Sequence, residues 1–203
     1  MSPGQIVILN GAPRSGKSSI ARAIQASLPG VWLNLGVDAM AAMTPEQYRP
    51  GIGLRPGGER PDLEPVVTEL YAALYEAIAA VARTGVNVVS DIGHHESYSR
   101  PTQILRDCAR RLAGLPVLFV GVSAPIETIL ARRATSEGSY IRGSAEDAVP
   151  APVARWQDTV HAHGTYDLML DTSQLTPSEC AEIIRETIAH PFALSAFERI
   201  GSA

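Results

Sequence analysis

Lysine is nearly missing from this 203-residue chain: sixteen of its seventeen basic side chains are arginine, and the one lysine stands at position 17. Cysteine is almost as scarce. Cys108 and Cys180 lie far apart and without metal-ligand spacing, which argues against a disulfide or a cysteine metal site and for two core or helix-face positions. No apolar run attains the roughly 18 to 20 residues of a membrane-crossing helix. The N-terminal "MSPGQIVILNG" has no basic region ahead of its apolar stretch, so neither membrane insertion nor secretion is expected and a cytoplasmic location follows. Positive charge is not striped either. The arginines are scattered, the net charge is −4 and the pI is near 5.7. That excludes an extended nucleic-acid or membrane-surface footprint while leaving room for small anions at local sites.

What the chain does have is the material for one core: 45% hydrophobic and 19% charged residues over a length that fits a single domain, 1–203, with a small insertion. Apolar runs recur at "IVIL" (6–9), "VWLNL" (31–35), "VNVVS" (86–90), "VLFVGV" (117–122) and "YDLML" (166–170). They do not alternate with polar residues, which suits strands buried on both faces. Helical patterns lie between them. The clearest places Leu63, Val66, Val67, Leu70, Leu74, Ile78 and Val81 at three- and four-residue steps, with Gly85 as the stop. Other helices are expected to begin near Lys17, Pro101, Pro125 and Pro177, the last behind the capping box "TPSE" at Thr176–Glu179. Strands alternating with helices predict an α/β fold, a parallel sheet with helices on both faces and its ligands at the carboxyl ends of the strands. Two irregular stretches, 49–61 and 132–152, read as loops, the second as a small lid.

Residues Gly11, Ala12, Pro13, Arg14, Ser15, Gly16, Lys17 and Ser18 spell GxxxxGKS between a predicted strand and a predicted helix, the context this phosphate-binding motif requires. Glycines 11 and 16 let the backbone N–H groups turn inward, and the helix behind adds its positive end. The lone lysine then has a reason. A compact ammonium on a flexible stem reaches β and γ phosphates where a planar guanidinium does not fit. The hydroxyl of Ser18 is placed to ligate Mg²⁺, with Ser19 a second, weaker option beside it.

Asp38 follows the second predicted strand, on the phosphate side of the sheet. A carboxylate there either accepts the proton of an attacking hydroxyl or caps the short helix "AMAAM". Asp91 ends the third apolar run, where a carboxylate holds Mg²⁺, orients an acceptor or simply forms a turn. His94 and His95 are adjacent and so cannot both face one ion from a regular strand. They read as acceptor contacts or exposed loop residues, and His161 and His163 as surface or packing residues. Arg132, Arg133 and Arg142 straddle the polar segment after the fourth strand's helix. Arginines on a lid can neutralise charge developing on a phosphoryl group; on a helix end they also suit the dipole.

With "ILNGAPRSGKSSI", "WLNLGVDAM", "VVSDI", the arginine cluster and "YDLMLDTS" in this order, the chain resembles the chloramphenicol phosphotransferase family over roughly residues 5–190. These are P-loop kinases related to nucleoside monophosphate kinases. The resemblance implies a five-stranded parallel sheet with a small lid, ATP as phosphoryl donor, and Asp38 as base toward a hydroxyl of an antibiotic such as chloramphenicol. It also implies Arg132 and Arg133 as lid arginines and Thr172, within "DTS", at the border of the adenine. Ser90 departs from the family, which has a second aspartate there. The implied partner is a small hydroxylated acceptor, with no nucleic acid and no membrane. A metabolic or nucleotide kinase is the alternative, and a nucleotide switch without transfer activity a further one, although no NKxD-like segment is present.

Overall fold

In the computed structural model, which describes residues 2–49, 54–58, 60–135, 149–190 and 195–202, the first apolar run becomes strand β1, Ile6–Asn10, buried along its whole length. Ile6 and Ile8 face one core cluster and Val7 and Leu9 another, which explains why the run does not alternate. β1 pairs in parallel with β3 (Asn87–Ile92) and β4 (Val117–Ser123). β2 (Trp32–Asn34) and β5 (Leu168–Asp171) complete the edges, in the order β2-β3-β1-β4-β5. All four pairings are parallel.

Helices cover both faces. Helix α1 (Lys17–Ser27) and helix α7 (Pro177–Ala189) pack Ile20, Ile24, Ala181 and Ile184 onto Val7, Leu9, Val89 and Val120. On the opposite face α3 (Glu64–Arg83), α4 (Ile104–Arg111) and α8 (Ala196–Ser202) meet Ile6, Ile8, Val88 and Phe119. α2 (Val37–Met43), α5 (Ile126–Ala134) and α6 (Ala151–Thr159) stand around the carboxyl ends of the strands. The capping box of α7 forms as the sequence requires: Thr176 accepts from the Glu179 N–H while the Glu179 carboxylate accepts from the Thr176 N–H. Cys108 and Cys180 are buried free thiols, one in each core.

Several expectations shift. β3 runs two residues past the expected end, so Asp91 lies inside the strand, in register with Leu9. α3 is twenty residues long with a mean hydropathy of 1.3, enough by length and composition to cross a membrane, contrary to the reading of the apolar runs. Its Tyr71, Leu74, Tyr75, Ile78 and Ala82 are instead buried in the core. Leu70 and Val81 are only partly buried there, because the tyrosines and alanines that the apolar pattern overlooks hold the inward face. The 132–152 segment begins in the last turn of α5 and ends in α6; its centre, including Arg142, lies outside the described residues.

The C-terminal "SAFERIGS" forms α8, whose Phe197 is buried against Phe119 (4.7 Å, edge-on) and Tyr75 (6.1 Å, stacked). Asp167 ties this helix to the sheet, its carboxylate accepting from the N–H groups of Phe119 (2.8 Å) and Ala196 (2.6 Å). Phe197→Ala is therefore expected to lower the unfolding free energy by about 3 to 5 kcal/mol, the usual cost of emptying an aromatic core position. Urea unfolding measures it, and an unchanged midpoint would exclude α8 from the cooperative core.

Candidate active site

Gly11 leaves β1 so close to β4 that a Cβ would lie 2.2 Å from the Val122 carbonyl oxygen, so only glycine passes. The loop then turns through two left-handed residues, Arg14 (φ 70°) and Gly16 (φ 101°), into α1. Lys17 opens that helix and folds back over its own loop, donating to the carbonyls of Gly11 (2.8 Å) and Ala12 (2.9 Å). Burial lowers its pKa to about 8, with the charges of Asp91 and Asp38 opposing the shift.

Ser18, next on the helix, donates its hydroxyl to Asp91 Oδ2 at 2.6 Å. The other carboxylate oxygen presses on the turn between β2 and α2: a Cβ on Gly36 would lie 1.8 Å from Asp91 Oδ1. That turn is pinned from below, where the Ser90 hydroxyl donates to the Leu35 carbonyl. Asp38 sits in the first turn of α2, exposed and lining the same cleft as Lys17, Ser18 and Asp91. The N-cap is Gly36 and no side chain caps the helix, so the helix-cap reading of Asp38 fails. Its only local role is a favourable charge at the helix's positive end.

Arg132 does not wave on a loop. From the last turn of α5 it donates to the Thr172 hydroxyl (2.9 Å), the Thr172 carbonyl (2.8 Å) and the Arg14 carbonyl (3.2 Å). Thr172 in turn donates to the Ser15 carbonyl at 2.7 Å and its side chain packs on Gly16. Arg132 thus clamps the end of β5 to the phosphate loop. Arg133 lines the cleft beside it. The cleft has a volume of about 970 Å³ and is also lined by Arg55, one of the arginines of the irregular 49–61 stretch, and by Val153 and Trp156, which sequence reasoning did not single out. Trp156 lies on Gly93, where a Cβ would come within 3.1 Å of its ring. Nothing local in the sequence marks this tryptophan, since it arrives from α6, far along the chain.

The adjacent histidines are buried, not exposed. The His94 ring meets the Tyr75 hydroxyl at 2.8 Å and stacks on Tyr71, and its backbone N–H donates to Asn10 Oδ1 at 2.6 Å. Burial, with the neighbouring His163 and His95 adding to it, brings its pKa down to about 3. His95 donates from Nε2 to the Leu54 carbonyl (3.0 Å) and accepts the Ser97 N–H at Nδ1 (3.2 Å), which fixes the neutral tautomer; its ring stands edge-on to Trp156. His161 and His163 pack around Tyr166, as expected of packing residues. Among the described residues no group of three or more His, Cys, Asp or Glu side chains could hold a metal. The Ser18 hydroxyl and Asp91 carboxylate, held together at the phosphate loop, nevertheless fit Mg²⁺, a hard cation that takes few protein oxygens and completes its shell with phosphate and water.

A family model described as chloramphenicol phosphotransferase-like protein matches residues 4–189. The chain belongs to that family. A relative from Mycobacterium tuberculosis (strain H37Rv), named "Putative O-phosphotransferase Rv2636", is 29% identical over 223 residues, covering 98% of this chain and 89% of the relative. Among solved structures, an unliganded sugar kinase from Janibacter sp. HTCC2649 superposes with a TM-score of 0.60 at 22% identity, over 90% of this chain and 92% of that one. The APS kinase CysC of Mycobacterium tuberculosis, in complex with AMPPNP and APS, gives 0.61 at 17% identity, over 92% and 98%. The fold is thus that of the P-loop kinases, and the expected five-stranded parallel sheet with helices on both faces is present. α8 lies beyond the family match.

Two outcomes follow from this geometry. Gly36 has φ −108°, which alanine adopts freely, but a Cβ there also comes within 2.9 Å of the Asp91 carbonyl oxygen, so Gly36→Ala must be compared with the parent by thermal unfolding. Its new methyl displaces the Asp91 carboxylate, and Mg²⁺-dependent nucleotide binding should weaken about tenfold or more, as when a metal site's support is lost. Calorimetric titration with and without Mg²⁺ measures it, and equal affinity would remove Asp91 from the site. His94 predicts acid sensitivity. Its folded pKa of about 3 lies below the ordinary value of about 6.5, so below pH 6.5 the unfolded chain binds a proton that the folded one refuses. Stability is whole above that pH and falls with acid, by about 2 kcal/mol between pH 6.5 and 5 from this group. His163, lowered by burial to about 4, acts in the same direction. Urea unfolding at pH 7 and pH 5 checks the slope; a flat profile contradicts it.

Proposed function

We propose that this protein is an ATP-dependent kinase that transfers a phosphoryl group to a hydroxyl of a small molecule, with Asp38 as the base. The observation that carries the reading is that Asp38, Lys17, Ser18 and Asp91 line one cleft. Backbone N–H groups at the start of α1, among them those of Lys17 and Ser18, and the positive end of that helix receive the phosphates. Lys17, already drawn into the loop by the Gly11 and Ala12 carbonyls, supplies the compact positive charge at the β and γ positions. Ser18 and Asp91 would hold Mg²⁺, which offsets charge on the phosphate oxygens. Asp38 takes the proton of the acceptor hydroxyl as its oxygen bonds the γ-phosphorus and the bond from that phosphorus to the β,γ-bridging oxygen breaks, releasing ADP. Arg133 lines the cleft where charge develops, while Arg132 acts at one remove, by holding Thr172 and the phosphate loop together at the nucleotide side.

The acceptor side is walled by Val153, Trp156 and Arg55. Family membership and the apolar part of that wall favour a hydroxylated compound of the chloramphenicol kind, acting where such a compound is met, in the cytoplasm. One observation supports the second reading, an anionic metabolite: Arg55 faces the cleft. Two other arginines of that region do not support it, because Arg49 bonds the carbonyls of Thr44 and Ala42 and Arg60 pairs with Asp62. A panel of hydroxylated antibiotics and phosphorylated metabolites, incubated with ATP and Mg²⁺ and read by mass spectrometry for the gain of one phosphoryl group, separates the two. ATP consumption that no acceptor accelerates would favour a switch protein instead.

Asp38→Asn keeps the size and hydrogen-bonding reach of the side chain but removes the proton acceptor. Acceptor-dependent ADP formation is expected to slow by about a hundredfold, within the range for a positioned base, with an unchanged thermal unfolding curve. A well-folded variant with wild-type turnover at saturating acceptor would overturn the assignment.

A further inference from the structure

A second cavity, of about 770 Å³, opens on the other side of the β3–α4 connection, between the start of α4, α8 and the loop carrying His163 and Thr165. Two of its lining residues, Arg199 and Ile200, belong to α8 and lie beyond the family match, which ends at residue 189. Its charge is unbalanced. Three arginines, Arg100, Arg106 and Arg199, line it against one acid, Glu96. That acid is already engaged at the start of α4, where it accepts from the Thr102 hydroxyl (2.8 Å) and faces the Leu105 N–H (3.5 Å). Arg199 leans toward Asp167, at 3.9 Å. Among the described residues Arg100 and Arg106 have no hydrogen-bond or ion-pair partner, and Arg106 Nε is shut off from solvent without an acceptor there.

A buried N–H with nothing to donate to costs free energy in any folded protein, and a guanidinium is matched by carboxylate or phosphate. Among the polar residues of the remaining wall, such as Thr102, Gln103 and Thr165, Tyr98, Leu105 and Ile200 supply apolar surface. We infer that this cavity is a second ligand site, taking a small amphipathic anion whose carboxylate or phosphate meets Arg100 and Arg106 and whose apolar body lies on Tyr98, Leu105 and Ile200. The site is separated from the nucleotide cleft by one layer of rings: Tyr98 packs on His95 (4.4 Å), and His95 on Trp156 (5.0 Å), which lines the cleft. The inference stands whether or not the kinase reading does, since none of its residues touches the phosphate loop.

Phenyl phosphate, benzoate and inorganic phosphate serve as probes on the full chain, with and without saturating AMPPNP and Mg²⁺, followed by two-dimensional NMR. Phenyl phosphate or benzoate should shift the resonances of Tyr98, Leu105, Thr165 and Ile200 saturably, to the same extent with nucleotide present. The tighter of the two distinguishes a phosphate from a carboxylate ligand. Arg106→Gln and Arg100→Ala should each weaken binding by about tenfold or more, as for a lost charged hydrogen bond. Arg100 is exposed, so its variant keeps the test valid if the Arg106 variant misfolds. The inference is overturned if neither organic probe gives saturable shifts, if AMPPNP abolishes them, or if both substitutions leave them unchanged. Inorganic phosphate binding as tightly as phenyl phosphate would overturn the amphipathic assignment.

Discussion

The carboxylate of Asp91 is held between the Ser18 hydroxyl on one side and the Cα of Gly36 on the other, and this squeeze joins three segments far apart in sequence. A buried carboxylate is costly unless hydrogen bonds and an opposite charge offset its lost hydration. Ser18 supplies the bond, and Lys17 the charge from one residue earlier in α1. Lys17 is in the same position: burial drives its pKa down, and Asp91 is the largest influence raising it. The Asp91 carboxylate thus helps the Lys17 ammonium keep its charge. The turn that presses on Asp91 is also the turn that launches α2, so the placement of Asp38 over the cleft depends on the same contact.

Arginine and lysine divide the work around this pair. Lys17 bonds two carbonyls of its own loop, a task for a small ammonium with rotatable donors. Arg132 bonds a hydroxyl and two carbonyls spread over β5 and the phosphate loop, which needs the wide, rigid fork of a guanidinium. A chain that uses arginine everywhere else has a physical reason for each choice. The clamp also accounts for Thr172, which accepts from Arg132 and donates to Ser15 across 157 residues of sequence.

The phosphate loop was legible because its signal is local: glycines, lysine and serine at fixed offsets between a strand and a helix. The parallel sheet was legible for a similar reason, since strands buried on both faces write continuous apolar runs. Asp91 and Asp38 were singled out because ligands gather at strand ends, and both line the cleft. What was hidden depends on contacts between distant segments. Arg132 looks the same in sequence whether it sits on a lid or clamps β5. His94 looks like a polar loop residue, and only the approach of Tyr71 and Tyr75 from α3 makes it a core residue. Trp156 becomes a cleft wall only because Gly93 leaves room for its ring. α8 carries one decisive aromatic, Phe197, among charged neighbours, and its partner Asp167 resembles any loop acid.

Beneath the phosphate loop lies a floor of buried polar groups that explains why one part of the site is rigid and another is not. Asn10, the last residue of β1 and the one before Gly11, is fully buried. Its amide donates to the Val160 carbonyl and the Tyr166 hydroxyl and accepts the His94 N–H. A fully satisfied buried amide fixes its backbone, because any displacement breaks several bonds at once in a medium where none is replaced by water. The loop that receives phosphate is thus held from below by Asn10, from the side by Arg132 and from above by Asp91. Among the described residues the opposite wall of the cleft is held by fewer polar contacts. Residues 54–58 are attached through the Gly57 N–H to the Ser97 carbonyl and through His95 to Leu54, and Trp156 through ring contacts. Val153 and Trp156 also share a small core cluster with Ala12, so the wall touches the phosphate loop at that one residue. The phosphate loop is therefore written in a short, constrained motif, while the rest of the cleft is written in contacts between distant segments.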